Sequence, residues 1–176
     1  HLRELSIEKG ILMSSGEGNS AVPFGSNDEC RQIAEAFPGI YFWMCNLDDV
    51  PENIFERLET YKNQGAVGIG ELMINRSIDD PMIQEIFAAA ETLSLPVLFH
   101  MRPEVGYEYG IVDDAGLPLL EESLKKYPNL KFIGHSQPFW HEISGDASGD
   151  LSSRMEWGKG EVAPGGRLSY LFDTYP

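Results

Sequence analysis

Cysteine and positive charge are both scarce in this 176-residue sequence. The two cysteines, Cys30 and Cys45, stand among apolar residues of helical and strand-like segments, so no disulfide framework is expected and a reducing, cytoplasmic setting is predicted. The chain has 13 Lys and Arg against 28 Asp and Glu, and its formal net charge is −15. Because nucleic acids and anionic membrane surfaces attract concentrated positive charge, neither is expected as a partner. We expect a small-molecule substrate instead.

Long apolar runs are also missing. No stretch approaches the ~20 apolar residues that span a bilayer, and the first residues lack the order of charged, apolar and small residues that marks a signal peptide. Neither membrane insertion nor export is therefore predicted. With 42% hydrophobic and 23% charged residues, the composition excludes a disordered or fibrous chain. The length suits one domain of roughly 150–200 residues.

The sequence does contain a regular alternation of apolar runs with segments of helical spacing. The helix with the clearest start begins at Ser26, because Ser26 and Glu29 have the spacing of a capping box. Such alternation is typical of βαβ units and a parallel sheet. Strands are predicted over 10–15, 39–46, 66–71, 95–100 and 130–135, and helices over 2–9, 26–37, 119–127 and 166–174 and from Pro51 and Pro81 onward.

Two architectures fit a parallel sheet, an open doubly wound sheet and a closed (β/α)8 barrel. Glu71, His100 and His135 each end a predicted strand, about one βα unit of ~30 residues apart, and barrels place their chemistry at that edge. Gly16 and Gly18 follow the first strand, but no clear helix starts after them, as a dinucleotide site requires. These features favour an α/β fold of the TIM-barrel type.

The number of strands predicts an incomplete barrel. A barrel of this type has eight strands, whereas five are readable before residue 136. The chain begins in a predicted helix, and the turn with proline at 127–128 recurs at 175–176, where the strand that should follow is absent. We expect residues 1–176 to form a partial barrel domain that lacks the first strand and the last two, with a complete smaller αβ domain as the alternative. The polar, Gly- and Ser-rich residues 142–166 are predicted to form a flexible loop within it.

Four side chains at or near the predicted strand ends could carry chemistry. His100 and His135 occupy equivalent positions on successive strands, and neutral imidazole is a common zinc ligand. Glu71 could be a ligand, a bridge between two metals or a base for a bound water, or the salt-bridge partner of a loop arginine. Arg102 could hold an anionic substrate group with its planar guanidinium, or it could pair with Glu104.

The runs 68–71, 95–100 and 131–135, read in this order, resemble the fourth, fifth and sixth strands of the amidohydrolase superfamily. They are most similar to the branch called amidohydrolase family 2, which is similar to the aminocarboxymuconate-semialdehyde decarboxylases. The resemblance implies a distorted TIM barrel with a divalent metal, usually zinc, at its carboxyl mouth. It implies that His100 is a metal ligand, that His135 is a second-metal ligand or the residue that activates the metal-bound water, and that Glu71 lies where some branches bridge two metals. The family's His-x-His pair and its Asp on the eighth strand have no counterpart in this sequence.

Our first hypothesis is a metal-dependent hydrolase that uses a divalent metal, with zinc expected, to activate water. In it Glu71, His100 and His135 bind the metal, His135 is also catalytic, and Arg102 binds the substrate. A metal-dependent decarboxylase of the same superfamily and a non-catalytic αβ binding or scaffold domain are the alternatives. Because a partial barrel exposes strand edges, we also consider a homo-oligomer.

Overall fold

The computed structural model describes residues 4–18 and 25–175. Strands and helices alternate along them, as the sequence predicts. The elements are β1 (Gly10–Met13), α1 (Asn27–Ala36), β2 (Tyr41–Met44), α2 (Ile54–Asn63), β3 (Ile69–Leu72), α3 (Pro81–Leu93), β4 (Val97–Arg102), β5 (Ile111–Val112), α4 (Pro118–Lys126), β6 (Phe132–His135), α5 (Gln137–His141), α6 (Leu151–Arg154) and α7 (Arg167–Thr174).

The five longer strands are parallel and follow one another across the sheet in the order of the chain. β1 pairs with β2, and β4 pairs with both β3 and β6. β2 is joined to β3 by the bridge between Cys45 and Ile69. A doubly wound sheet reverses its direction at a switch point, whereas the order β1–β2–β3–β4–β6 does not reverse. The strand order therefore agrees with the predicted barrel type and not with the open sheet.

The core lies between one face of this sheet and the helices. Val97, Phe99 and Met101 of β4 point into it and are fully buried, and Phe87 of α3 packs edge-to-face on Phe132 of β6 with ring centroids 4.9 Å apart. The alternate residues of each strand lie on the opposite face of the sheet. In a closed barrel this face lines the interior. That face carries apolar side chains that are exposed among the described residues: Ile11, Met13, Phe42 and Ile133.

Local capping signals place two of the helix starts correctly. The Ser26 side chain accepts a hydrogen bond from the Glu29 backbone N–H, and the Glu29 carboxylate accepts one from the Ser26 N–H at 2.9 Å, so the predicted capping box is present at α1. The Asp80 carboxylate caps α3, and Pro81 is its first residue. Within the described ranges, no helix has the length and apolar character needed to span a membrane.

Two other predicted helices differ from the structure in their described residues. Residues 4–6 form a turn and 7–9 have no regular structure, while residues 2 and 3 of the predicted helix lie outside the described residues. Leu5 and Ile7 remain 68% and 42% exposed, so no packed apolar face supports a helix this short. The helix predicted from Pro51 onward, α2, begins at Ile54 instead. Asn53 takes the left-handed conformation, with φ 54°, and becomes its N-cap.

Three short elements, β5, α5 and α6, were not predicted from the sequence. β5 has only two residues, which pair with Met101 and Arg102 at the end of β4, and so short a strand has no readable periodicity. Within the predicted loop 142–166, α6 is anchored by Arg154, a buried side chain that donates to the backbone carbonyl of Asp113 at 2.9 Å. The antiparallel bridge between Ser144 and Val162 closes the same segment. Its flexibility stays a prediction.

Candidate metal centre

The parallel register of β4 and β6 places the two predicted histidines side by side. His100 and His135 are direct Cα partners in the ladder, so both side chains leave the same face of the sheet. Their ring centroids lie 5.6 Å apart. His100 is buried, whereas the His135 side chain is 48% exposed. The two imidazoles therefore meet at one edge but differ in their access to solvent.

Glu71 reaches the same point from the neighbouring strand β3. Its Oε1 lies 2.7 Å from His100 Nδ1 and 3.6 Å from His135 Nε2. One ligand atom from each of the three residues lies within 4.8 Å of those of the other two. The structure thus brings together all three side chains that the sequence analysis singled out as metal ligands. Of the two loop arginines that could instead have paired with Glu71, Arg76 and Arg102, the first pairs with Asp49 and Asp80.

The contact between Glu71 and His100 defines which nitrogen of His100 is available to a ligand. A carboxylate oxygen accepts hydrogen bonds, so this contact is made by the His100 tautomer that has its hydrogen on Nδ1, with the Nδ1–H group donating to Glu71 Oε1. That tautomer has its free lone pair on Nε2. His100 Nε2 is buried and has no hydrogen-bond partner among the described residues. A buried acceptor without a partner is costly unless something binds it.

The donor set and its spacing fit a divalent metal. Imidazole nitrogens and a carboxylate oxygen are usual ligands of Zn²⁺, with bond lengths near ~2.1 Å, which places neighbouring ligand atoms of a tetrahedron about 3.4 Å apart. The 3.6 Å between Glu71 Oε1 and His135 Nε2 is close to that spacing. The 2.7 Å to His100 Nδ1 is instead a hydrogen-bond length, of the carboxylate–histidine kind that orients a metal-binding ring through its other nitrogen.

An aromatic residue that the sequence analysis did not single out links this cluster to Arg102. The Tyr109 ring lies 4.8 Å from the His100 ring centroid, and the Arg102 guanidinium carbon lies 4.6 Å from the Tyr109 ring centroid. Tyr109 belongs to the segment between β4 and β5, and its only signal in the sequence is the aromatic pair at 107 and 109 between glycines 106 and 110.

Arg102 itself is not paired as the alternative interpretation expected. The structure places no ion pair between Arg102 and Glu104 or any other described carboxylate, and Arg102 Nε is buried without a hydrogen-bond partner among the described residues. The guanidinium rests on the rings of Tyr107 and Tyr109. It stands on the same face of β4 as His100, two residues further along the strand. The arrangement can therefore accept an anionic group beside the cluster.

Neither cysteine competes as a metal ligand. Burial raises the pKa of the Cys45 thiol to about 12 and raises that of Cys30 above its usual range. Metals bind the thiolate rather than the thiol, and both cysteines are free and buried. The metal-binding chemistry at this edge of the sheet thus rests on the two histidines and Glu71.

Comparison with known proteins identifies the family. The Amidohydrolase family model matches residues 19–159, and the chain belongs to this family. An uncharacterised TIM-barrel protein from Bordetella bronchiseptica superposes with a TM-score of 0.56 at 14% identity, over 81% of this chain and 50% of that one. No curated protein sequence matches the chain significantly.

A second solved structure has a described activity. The 5-carboxyvanillate decarboxylase LigW2 from Novosphingobium aromaticivorans, with bound manganese and 3-methoxy-4-hydroxy-5-nitrobenzoic acid, gives a TM-score of 0.55 at 18% identity, over 78% of this chain and 51% of that one. At these identities the likeness shows the fold alone. The chain spans about half the length of both structures. The predicted family and the TIM-barrel fold class are confirmed.

Proposed function

We propose that this chain carries the metal site of a metal-dependent hydrolase of the amidohydrolase type acting on a small anionic molecule. The observation that carries the proposal is the meeting of Glu71, His100 and His135, with a buried His100 Nε2 that lacks any partner among the described residues. Because the chain spans half of the structures it matches, the activity of the whole protein is part of the proposal.

The exposure of the two histidines suggests different roles. His100, which is buried and lies 2.7 Å from the Glu71 carboxylate, would hold the ion together with Glu71 and His135. The ion, when bound, would lower the pKa of a coordinated water toward ~7 and polarise a substrate carbonyl. His135 Nε2 has a single lone pair, so it would fill one of two roles: it would either bind the ion or, on this half-exposed side chain, accept a proton from the attacking water.

Zinc is the ion we propose. Two imidazoles and one carboxylate form a set that zinc accepts readily, while Mg²⁺ and Mn²⁺ favour sites richer in oxygen. Manganese binding by the matched decarboxylase belongs to that protein, and it makes Mn²⁺ the natural comparison in a binding assay. The free, buried cysteines are consistent with the cytoplasmic setting that we propose.

Decarboxylation is a second candidate, favoured by the position of Arg102. A guanidinium without a carboxylate partner among the described residues, next to His100 across Tyr109, suits a substrate carboxylate. Hydrolysis and decarboxylation then differ in whether that carboxylate is retained in the product. Incubation of the whole protein with a carboxylate substrate in ¹⁸O-labelled water separates them, because hydrolysis places the label in the product and decarboxylation releases CO₂.

Zn²⁺ titration of the chain, followed by isothermal calorimetry and by competition with a chromophoric chelator, tests the metal site. We expect one Zn²⁺ per chain, and we expect His100→Ala and His135→Ala to weaken binding at least tenfold. His141→Ala is the matched control, since the His141 side chain accepts from the Ser148 N–H in another loop. If His100→Ala and His135→Ala lower the melting temperature but leave the Zn²⁺ affinity equal to that of the control, the two histidines are structural and the scaffold alternative stands.

A further inference from the structure

The side chain that follows β2 bridges the ends of three strands. Asn46 is almost fully buried, and its strand lies between β1 and β3. Its Nδ2 donates to the backbone carbonyl of Glu71 at 2.6 Å and to that of Ser14 at 3.3 Å. Its Oδ1 accepts from the Leu47 backbone N–H at 2.9 Å. One amide thus satisfies carbonyls on both neighbouring strands at the edge where the metal cluster lies.

Asn46 is itself fixed by a second asparagine. The Asn46 backbone N–H donates to Asn27 Oδ1 at 2.9 Å, and Asn27 Nδ2 donates to the Asn46 carbonyl at 2.9 Å. Asn27 is the first residue of α1 and is also buried. This reciprocal pair leaves the Asn46 backbone little freedom, so its side chain is held in one position relative to β3.

We propose that Asn46 is a positioning residue for the metal site: it fixes the backbone of Glu71, and Glu71 in turn orients the His100 ring toward the ion. The inference rests on the proposed function, because without a metal there is nothing to position. Glu71 connects the two ends of this chain of contacts. Its backbone carbonyl accepts from the Asn46 amide, and its carboxylate lies 2.7 Å from His100 Nδ1.

The chemistry of the side chain explains why an asparagine suits this position. The two carbonyls need two N–H donors, and the Leu47 N–H needs an acceptor. An amide supplies both from one short side chain. An ionised aspartate of nearly the same shape supplies no donor and would face two carbonyl oxygens, while a serine supplies a single O–H.

The test compares Asn46→Asp and Asn46→Ser with the unsubstituted chain. Zn²⁺ affinity is measured by chelator competition, the visible absorption of bound Co²⁺ reports the ligand geometry, and thermal unfolding reports stability. Residues that orient metal ligands typically contribute about 10- to 100-fold in metal affinity. For Asn46→Asp we expect a loss of Zn²⁺ affinity in that range and a changed Co²⁺ spectrum. For Asn46→Ser we expect a smaller loss of Zn²⁺ affinity, and this variant provides the test if Asn46→Asp does not fold.

Ser123→Ala is the matched control for general destabilisation. Ser123 is as buried as Asn46 and makes two hydrogen bonds, to the Leu119 carbonyl and from Gln84 Nε2, on α4. We expect it to lower the melting temperature while Zn²⁺ affinity and the Co²⁺ spectrum stay unchanged. Equal Zn²⁺ affinities for the chain and its Asn46 variants, or an equal loss in Ser123→Ala, overturn the positioning role alone. An unsubstituted chain that binds no Zn²⁺ overturns the proposed function and the positioning role together.

Discussion

Replacing Gly134 by alanine is a sharp test of the packing beneath the metal cluster. Gly134 precedes His135 in β6, and a Cβ built on it would lie 2.2–2.4 Å from three atoms of the Phe139 ring. Carbon atoms pack at about 3.5–4.0 Å, so the ring or the strand would have to move by more than about 1 Å. The ring has little room, since Phe139 is buried and packs edge-to-face on Phe99 and Trp140 with centroids 5.8 and 5.2 Å away.

The expected magnitude follows from this clash. Overpacking a close-packed core costs about 1–3 kcal/mol, and a rigid backbone Cβ cannot rotate away, so we expect Gly134→Ala to lie at the upper end. For a chain of this length each kcal/mol shifts the melting temperature by roughly 2–4 °C. Thermal unfolding followed by circular dichroism measures the loss. Gly149→Ala is the matched control, because its Cβ would meet only Ala115 at 3.6 Å, an ordinary contact, and its change should stay within about 0.5 kcal/mol.

A double-mutant cycle with Phe139→Ala checks the cause. Phe139→Ala alone should cost about 3–5 kcal/mol through the cavity it leaves. Because removal of the ring also removes the clash, the double variant should be no less stable than Phe139→Ala alone, which gives a coupling energy equal in size to the cost of Gly134→Ala. Additive costs, or a Gly134→Ala variant as stable as the unsubstituted chain, would refute the argument that the ring occupies the space over this glycine.

Three further predictions concern other parts of the chain. Ser26→Ala removes the capping box of α1 and should cost about 1 kcal/mol in thermal unfolding with unchanged Zn²⁺ affinity, so a variant of unchanged stability would contradict it. Burial raises the pKa of Asp113 to about 6, above its usual 3.8, although three backbone N–H groups partly oppose the shift. The stability that the protonated carboxyl contributes is therefore lost as the pH rises from about 4 through 6. Asp113→Asn should remove this part of the pH dependence of the unfolding free energy. An unchanged pH profile would show that Asp113 does not titrate in this range. Gly110→Ala places a Cβ 2.7 Å from Arg102 Cγ and 3.0 Å from His100 Cδ2 at a φ of 105°, so it should lower both stability and Zn²⁺ affinity, and calorimetry showing intact Zn²⁺ binding would argue against close packing at this point.

The strand and helix pattern could be read from the sequence because its causes are local. The capping box at Ser26, the cap at Asp80 and the apolar runs before Glu71, His100 and His135 each depend on a few neighbouring residues. Residues 4–9 of the helix expected over 2–9 are not helical for a non-local reason, since a short amphipathic segment forms a stable helix only when another element covers its apolar face.

The candidate site divides in the same way. Three polar residues at the ends of successive strands were enough to predict that Glu71, His100 and His135 share one edge of a parallel sheet. The roles of Tyr109 and Asn46 could not be predicted, because their partners are set by the path of a loop and by hydrogen bonds between strands far apart in the chain.

By itself, the sequence determined the alternation of strands and helices, the family resemblance and the residues at the strand ends, since these follow from periodicity and residue type. Only the tertiary structure decided that His100 is the direct ladder partner of His135, that Glu71 Oε1 faces His100 Nδ1, and that His100 Nε2 is buried without a hydrogen-bond partner among the described residues. These relations depend on the register between the strands, and that register is set by the packing of the sheet against its helices.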